Sequence, residues 1–247
     1  MPKAVLLDVS GVLQVGDEAI DGAIDAVDRL RDAGMPFRLV SNTSRKTAAS
    51  MLEELNGLGF SFAESELLTA PVAARTLLQE KSLKPFLLVH PDLEPEFSNM
   101  EGEDAVLVGD AGEAFTHERL DAAFRLLMDG KPLYATGINR YFRDGDRLGL
   151  DAGPFVKALE YAAGVEATIT GKPSRDFFAA AASSLGVSLD DLLMIGDDVE
   201  NDVLGARDAE LEAWLVRTGK FTAGDEERAG EEYCFADIAA ATSALLD

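Results

Sequence analysis

The segment Ala4-Val5-Leu6-Leu7 is apolar without a break and stops on Asp8, followed by Val9, Ser10 and Gly11. A strand that is apolar on both faces needs cover on both, as in a parallel sheet packed between helices. Other segments repeat the pattern: Phe37–Val40 runs into Ser41-Asn42, Ala167–Thr170 into Gly171-Lys172-Pro173-Ser174, and Leu192–Ile195 into Gly196-Asp197-Asp198. Between them the apolar residues recur at helical spacing, as at Ala23, Ile24, Val27 and Leu30. Strand–helix alternation of this kind predicts an α/β fold with a Rossmann-like parallel sheet built from right-handed crossovers. In open sheets of that type, ligands bind where the strands end at their carboxyl side. Asp8 alone is equally a turn residue closing a strand. Its meaning depends on what the other strand ends carry.

Taken in order, the spacing predicts helices over 21–33 and 46–55, with Gly34 placed to end the first. A short strand follows at Leu67-Leu68, then a helix to about Glu80 with Pro71 in its first turn. From Lys81 the pattern restarts. Phe86–Val89, Ala105–Val108 and Pro132–Ala135 read as strands, and Glu118–Met128 and Pro154–Ala162 as helices. Residues 81–166 therefore read as a second α/β module inserted into a first made of 1–80 and 167–247. The remainder predicts helices over 175–185 and from Glu200 to about Arg207, a strand at Ala213–Val216 and a closing helix from Phe235 to Leu246. No repeat or low-complexity segment is evident.

The chain has 247 residues, enough for a full core. Its 45 acidic residues against 22 basic ones leave a net charge of −23. A surface so charged repels phosphate backbones and anionic lipid, so neither nucleic acid nor a membrane is an expected partner. The excess is spread along the chain, and lysine is scarce, 8 against 14 arginines. That fits adaptation to a salty cytoplasm and, equally, ordinary solubility. The single cysteine, Cys234, rules out an internal disulfide framework and a cysteine-rich zinc site. With no signal-peptide pattern and no apolar span of membrane length, the cytoplasm is the expected compartment.

The polar groups at the strand ends suit phosphoryl transfer. Asp8 and the Asp197-Asp198 pair with Asp202 offer two or three carboxylates with little histidine nearby, a hard oxygen site that suits Mg²⁺. Lys172 supplies a point charge for phosphate oxygens, and Ser41 and Asn42 supply hydrogen-bond donors. Asp8 is then the group placed to attack phosphorus.

On these motifs the chain resembles the haloacid dehalogenase superfamily, in the subclass (IIA) with a large α/β cap between the second and third motifs. The supporting stretches are Leu7–Leu13, Leu68–Arg75, Gly109–Phe115, Leu150–Ala162, Gly171–Ser174, Met194–Asp198 and Val216–Phe221. Within the subclass it is most similar to phosphatases of pyrophosphate and nitrogen-linked phosphates. The resemblance implies Asp8 as nucleophile and Mg²⁺ ligand, Asp197 as second carboxylate ligand, and the Ser10 backbone carbonyl as a third. It implies Ser41, Asn42 and Lys172 as the holders of the phosphoryl group. Asp202 is expected to order metal-bound water from behind. The resemblance also implies a homodimer through the cap.

One departure matters. Most members carry an aspartate two residues after the nucleophile, as the acid that protonates the leaving group. Here Ser10 stands at that catalytic position, and a hydroxyl is a poor proton donor near neutral pH. Such groups contribute roughly 10²–10⁴-fold, so leaving groups that need little help are the expected substrates. A sugar-phosphate or phosphoglycolate-type phosphatase, and a weakly active phosphate- or partner-binding relative, stay open as alternatives. His90 and His117 read as surface or loop residues and Cys234 as packing. Gly109–Gly112 lacks both the P-loop lysine and the dinucleotide glycine pattern. Gly137–Arg143, before an expected Asp144-Gly145 turn, is either a substrate-contacting cap segment or a solvated hairpin.

Overall fold

The computed structural model describes residues 2–144 and 147–247. They form a mixed α/β structure of two compact units. One comprises 1–41, 49–68 and 172–247, the other 42–48 and 69–171. The expected Asp144-Gly145 turn falls partly outside the described residues.

The first unit is organised on a six-stranded sheet. Its order is Cys234–Phe235, Glu212–Val216, Leu192–Gly196, Ala4–Asp8, Phe37–Ser41, Leu67–Thr69. Ala4–Asp8 is central and buried at all five residues, as its apolar run requires. It pairs in parallel with both neighbours, Leu7 opposite Ile195 and Asp8 opposite Val40. Asp197 and Ser41 therefore each lie about one residue further along the sheet edge that Asp8 occupies. A short antiparallel pair, Gln14–Val15 with Glu18–Ala19, follows the first strand and was not foreseen.

The second unit has its own parallel sheet, ordered Thr168–Ile169, Leu133–Ala135, Ala105–Val108, Pro85–Leu88. Side chains alternate between its faces. Leu87, Leu107 and Tyr134 pack with Ala74 and Leu78 of the helix Ala70–Glu80. Leu88, Val106 and Val108 pack on the other side with Ala123 and Leu127 of His117–Met128 and Val156 and Leu159 of Ala152–Ala163. The helix Ala70–Glu80 and the strand Thr168–Ile169 thus fall with this unit, because their apolar faces close its core. Segment 42–48 is tied to it by buried acids. Asp110 takes the Arg45 Nε at 2.5 Å and donates its own N–H to the Ser44 hydroxyl, while Glu96 takes Arg75 and the Ala48 N–H. Tyr141–Asp144 and Arg147–Leu150 form an antiparallel pair.

Three expectations are corrected. Phe235 lies in a strand rather than in the closing helix, which starts at Ile238 behind its Asp237 cap. The helix expected from Glu200 is two pieces, a wide-turned Val199–Leu204 and an α-helical Gly205–Asp208. The strand preceding Lys172 belongs to the second sheet, so Lys172 does not stand on the same sheet edge as Asp8. It opens the last segment of the first unit instead.

Candidate active site

Asp8, at the end of the central strand, is 6% exposed although it carries a carboxylate. The Lys172 ammonium lies 2.8 Å from its Oδ1 and 2.7 Å from the Asp202 Oδ1. Lys172 and Asp202 are buried too, at 2% and 0% exposure. Burial works to lower the Lys172 ammonium, but Asp202 and Asp8 more than offset it and raise it above the ordinary lysine value. The lysine is therefore charged throughout the physiological range.

Asp197 follows the neighbouring strand and is 1% exposed. Its Oδ2 accepts the Lys220 backbone N–H at 2.6 Å. Two glycines of positive φ close on the same oxygen. A Cβ on Gly11 (φ +84°) would sit 1.9 Å from it, and one on Gly219 (φ +59°) 2.0 Å. Those are contacts no side chain survives, so glycine is required at both places. The other oxygen, Asp197 Oδ1, is buried without a hydrogen-bond partner. Burial, then the charges of Asp8 and Asp202, push the Asp197 carboxyl well above the usual range.

Asp202 sits over Gly196, where a Cβ would come within 2.2 Å of its Oδ2, and it accepts the Asp198 N–H at 3.1 Å. Burial raises the Asp202 carboxyl to about 6, with Lys172 opposing the shift and Asp8 and Asp198 adding to it. Asp198 caps the wide-turned segment by accepting the N–H groups of Glu200 and Asn201. It also takes the Lys220 Nζ at 3.0 Å. Although burial raises it, Lys220 and Asn201 hold Asp198 down at about 2.

Asp8, Asp197 and Asp202 each present an oxygen within 4.8 Å of the others. Three buried carboxylates at that spacing repel one another unless a cation joins them. An orphaned, fully buried carboxylate oxygen among them fits a hard divalent metal ion.

Asp8, Lys172, Asp197 and Asp202 are thus brought together. Ser41 is buried at the adjacent strand end. The Ser10 side chain is exposed, in the turn where the Gly11 N–H meets the Gln14 carbonyl. Asn42 opens the second unit, and a Cβ on Gly171 would come within 2.6 Å of its Oδ1. Lys220 and the two glycines were not foreseen. The signal was present, since Arg217-Thr218-Gly219-Lys220 follows the carboxyl end of another core strand, Glu212–Val216. Of the other candidates, His90 caps the turn at Pro91–Phe97 and Cys234 is half-buried. Asp110, in the glycine loop, is part of the clamp on 42–48.

A family model described as haloacid dehalogenase-like hydrolase matches residues 5–103, and one described as HAD-hydrolase-like matches 169–241. The chain is 44% identical over 234 residues to the Xenopus laevis phospholysine phosphohistidine inorganic pyrophosphate phosphatase, covering 91% of this chain and 87% of that protein. It is equally 44% identical over 228 residues to the human haloacid dehalogenase-like hydrolase domain-containing protein 2, covering 92% and 88%. Among solved structures, a p-nitrophenyl phosphatase from Archaeoglobus fulgidus superposes with a TM-score of 0.89 at 25% identity, covering 98% of this chain and 99% of the other. A 4-nitrophenylphosphatase from Thermotoga maritima gives 0.90 at 24%, covering 98% and 97%, and shows the shared fold.

Proposed function

Because the chain belongs to the haloacid dehalogenase-like hydrolases and is an enzyme of their phosphatase type, we propose that it is a Mg²⁺-dependent phosphatase working through a phosphorylated Asp8. The preferred substrates are pyrophosphate, nitrogen-linked phosphates or other small phosphates with good leaving groups. The observation that carries the reading is the buried Asp8 carboxylate, paired to Lys172 beside the partnerless Asp197 Oδ1.

In this reading an Asp8 oxygen attacks phosphorus in line, and the bond from phosphorus to the leaving group breaks with its electron pair. Water then attacks the phosphorus of the acyl phosphate, releasing phosphate and restoring Asp8. Asp8, Asp197 and the Ser10 carbonyl are the residues that would hold Mg²⁺, with Asp202 orienting its water shell. The ion supplies charge neutralisation, without which an anion does not approach a phosphate. Lys172, charged and buried, holds the phosphoryl oxygens and releases part of its hold on Asp8 as it does so. Ser41 and Asn42 donate to the same oxygens.

Ser10 decides the substrate class. Its hydroxyl cannot play the acid, so a leaving group must depart without a proton from that position. An inorganic phosphate leaving from pyrophosphate, or a nitrogen leaving from phosphohistidine or phospholysine, meets that condition better than a sugar alkoxide. The Xenopus relative's name carries the same substrates. Residues 81–166, the inserted module, are proposed as the cap that selects among them. No helix among the described residues is long and apolar enough to cross a membrane, and the cytoplasm is proposed as the compartment. A homodimer formed through the cap is part of the same proposal.

The test is phosphate release from pyrophosphate, phosphohistidine, phospholysine, p-nitrophenyl phosphate and sugar phosphates, with Mg²⁺ and with EDTA. Metal-dependent release that Asp8→Asn abolishes is the expected result. A preference for sugar phosphates over pyrophosphate refutes the leaving-group argument, and no release above the variant on any substrate makes this a phosphate-binding relative.

A further inference from the structure

The two oxygens of Asp197 are treated differently by the fold. Oδ2 is consumed by the Lys220 N–H at 2.6 Å and walled in by Gly11 and Gly219, while Oδ1 is buried and partnerless. Lys220 is itself held, since its ammonium pairs with Asp198 Oδ2 at 3.0 Å. Asp198 in turn is fixed by the N–H groups of Glu200 and Asn201 and by the Asn201 side chain at 2.9 Å. The Thr218 hydroxyl closes the far side of the loop onto the Gly11 carbonyl. A chain of contacts therefore runs from the capped segment Val199–Leu204 through Asp198 and the Lys220 side chain to the one backbone N–H that occupies Asp197 Oδ2.

We propose that the Asp198–Lys220 ion pair is a positioning device that makes Asp197 a one-oxygen metal ligand and so selects Mg²⁺ against Ca²⁺. The inference rests on the metal-dependent reading above. Its physical basis is the difference between the two ions. Mg²⁺ demands near-ideal octahedral geometry with single-oxygen ligands, whereas Ca²⁺ accepts six to eight oxygens and takes carboxylates through both. A carboxylate with one oxygen already committed to the backbone satisfies the first ion and denies the second a ligand. Residues that orient metal ligands from behind are worth about 10–100-fold in metal affinity.

The experiment is calorimetric titration of the metal-free protein with Mg²⁺ and, separately, Ca²⁺, in the wild type, Lys220→Met, Lys220→Arg and Asp198→Asn. The asparagine keeps an acceptor for the helix cap but drops the charge that holds Lys220. Melting curves in EDTA establish that each variant is folded. The expected result is a Mg²⁺ dissociation constant about 10-fold weaker in Lys220→Met and Asp198→Asn, with Ca²⁺ binding held or tightened. Lys220→Arg, which keeps the pair, should stay close to wild type. Folded Lys220→Met and Asp198→Asn proteins that keep the wild-type ratio of Mg²⁺ to Ca²⁺ affinity overturn the proposal. So does an equal loss of both ions in all three variants, which would assign the effect to loop packing. If Lys220→Met fails to fold, Asp198→Asn decides alone. A wild type that binds no Mg²⁺ overturns the metal reading itself and this proposal with it.

Discussion

Without metal, the acidic cluster should make the protein more stable as the pH falls toward 5. The Asp202 carboxyl is raised from 3.8 to about 6 in the folded chain. A raised acid binds its proton more tightly when folded, so its full stabilising effect is present below 3.8 and is lost as pH rises through 6. A gap of about 2.2 units corresponds to about 3 kcal/mol between the two limits. Between pH 7.5 and pH 5 the same relation recovers about 1.4 kcal/mol, or about 3–6 °C in melting temperature for a chain of this size. Surface carboxylates of a chain with net charge −23 also titrate toward this range, so the wild type alone is not decisive. Asp202→Asn removes the group and leaves the rest. Calorimetry in EDTA from pH 7.5 to 5 should show the wild-type melting temperature climbing more steeply than the variant's by that amount. Saturating Mg²⁺ should flatten the difference, because a bound cation keeps the carboxylates ionised. Equal slopes in EDTA from two folded proteins would refute the argument that Asp202 carries the strain of the cluster.

Lys172→Met removes the lysine that touches both Asp8 and Asp202, and breaking a buried pair from one side costs about 3–5 kcal/mol. Thermal melts in EDTA at pH 8 should show the deficit, and it should shrink at pH 5 as the buried Asp202, left without its cation, takes up a proton. Ser10→Asp should raise turnover of sugar monophosphates by up to about 10²-fold while changing pyrophosphate hydrolysis far less; an equal change on both, or none, removes Ser10 from the account of specificity. Melting in 0.1 M and 1 M KCl reports on the acidic surface, since repulsion between charges further apart than about 10 Å is screened at 0.1 M and, at 1 M, already beyond about 3 Å. A higher midpoint in molar KCl is expected, and equal midpoints would leave solubility as the reason for the charge.

Much of this site is legible in the sequence because strand burial is a strong signal. Ala4–Leu7 and Leu192–Ile195 read as interior strands, and they pair side by side, so the acids at their ends stand at one sheet edge. Asp202 is legible as well, five residues beyond Asp197 on the segment that folds back over Gly196. The structure sets Lys172 beside Asp8 and Asp202, but by a different route from the one its sequence context suggests. The strand before it, Thr168–Ile169, pairs in the second sheet, and Lys172 follows three residues later, at the start of the first unit's last segment, where it meets Asp8. The place of Lys220 after a core strand is legible, but its contact with Asp197 is not, because its backbone rather than its side chain makes it and no residue-type pattern announces a main-chain donor. The clamps of Asp110 and Glu96 on segment 42–48 are also silent in sequence. They join residues tens of positions apart through acids that composition alone places on the surface. Phe235 misled for a related reason: two apolar residues before a helix read as its first turn until a neighbouring strand, Glu212–Val216, is there to pair with them.

The charges of the assembled site explain why its stability and its chemistry are coupled. Asp8, Asp197, Asp198 and Asp202 carry four negative charges when ionised, and Lys172 and Lys220 return two, leaving −2 in a region where three of the carboxylates are nearly inaccessible to water. Burial first, and then the neighbouring carboxylates, push the metal-free carboxyls of Asp197 and Asp202 upward, and a lone proton relieves only one unit of the excess. A divalent cation removes the whole of it and leaves each carboxylate charged. The same neutralisation is what an incoming phosphate dianion requires before Asp8 can approach it. The cluster at the end of the central strand could hold a divalent ion, whose charge matches that excess. The Asp198–Lys220 pair, which contributes no net charge, is left to govern geometry: it decides which of the two oxygens of Asp197 that ion meets.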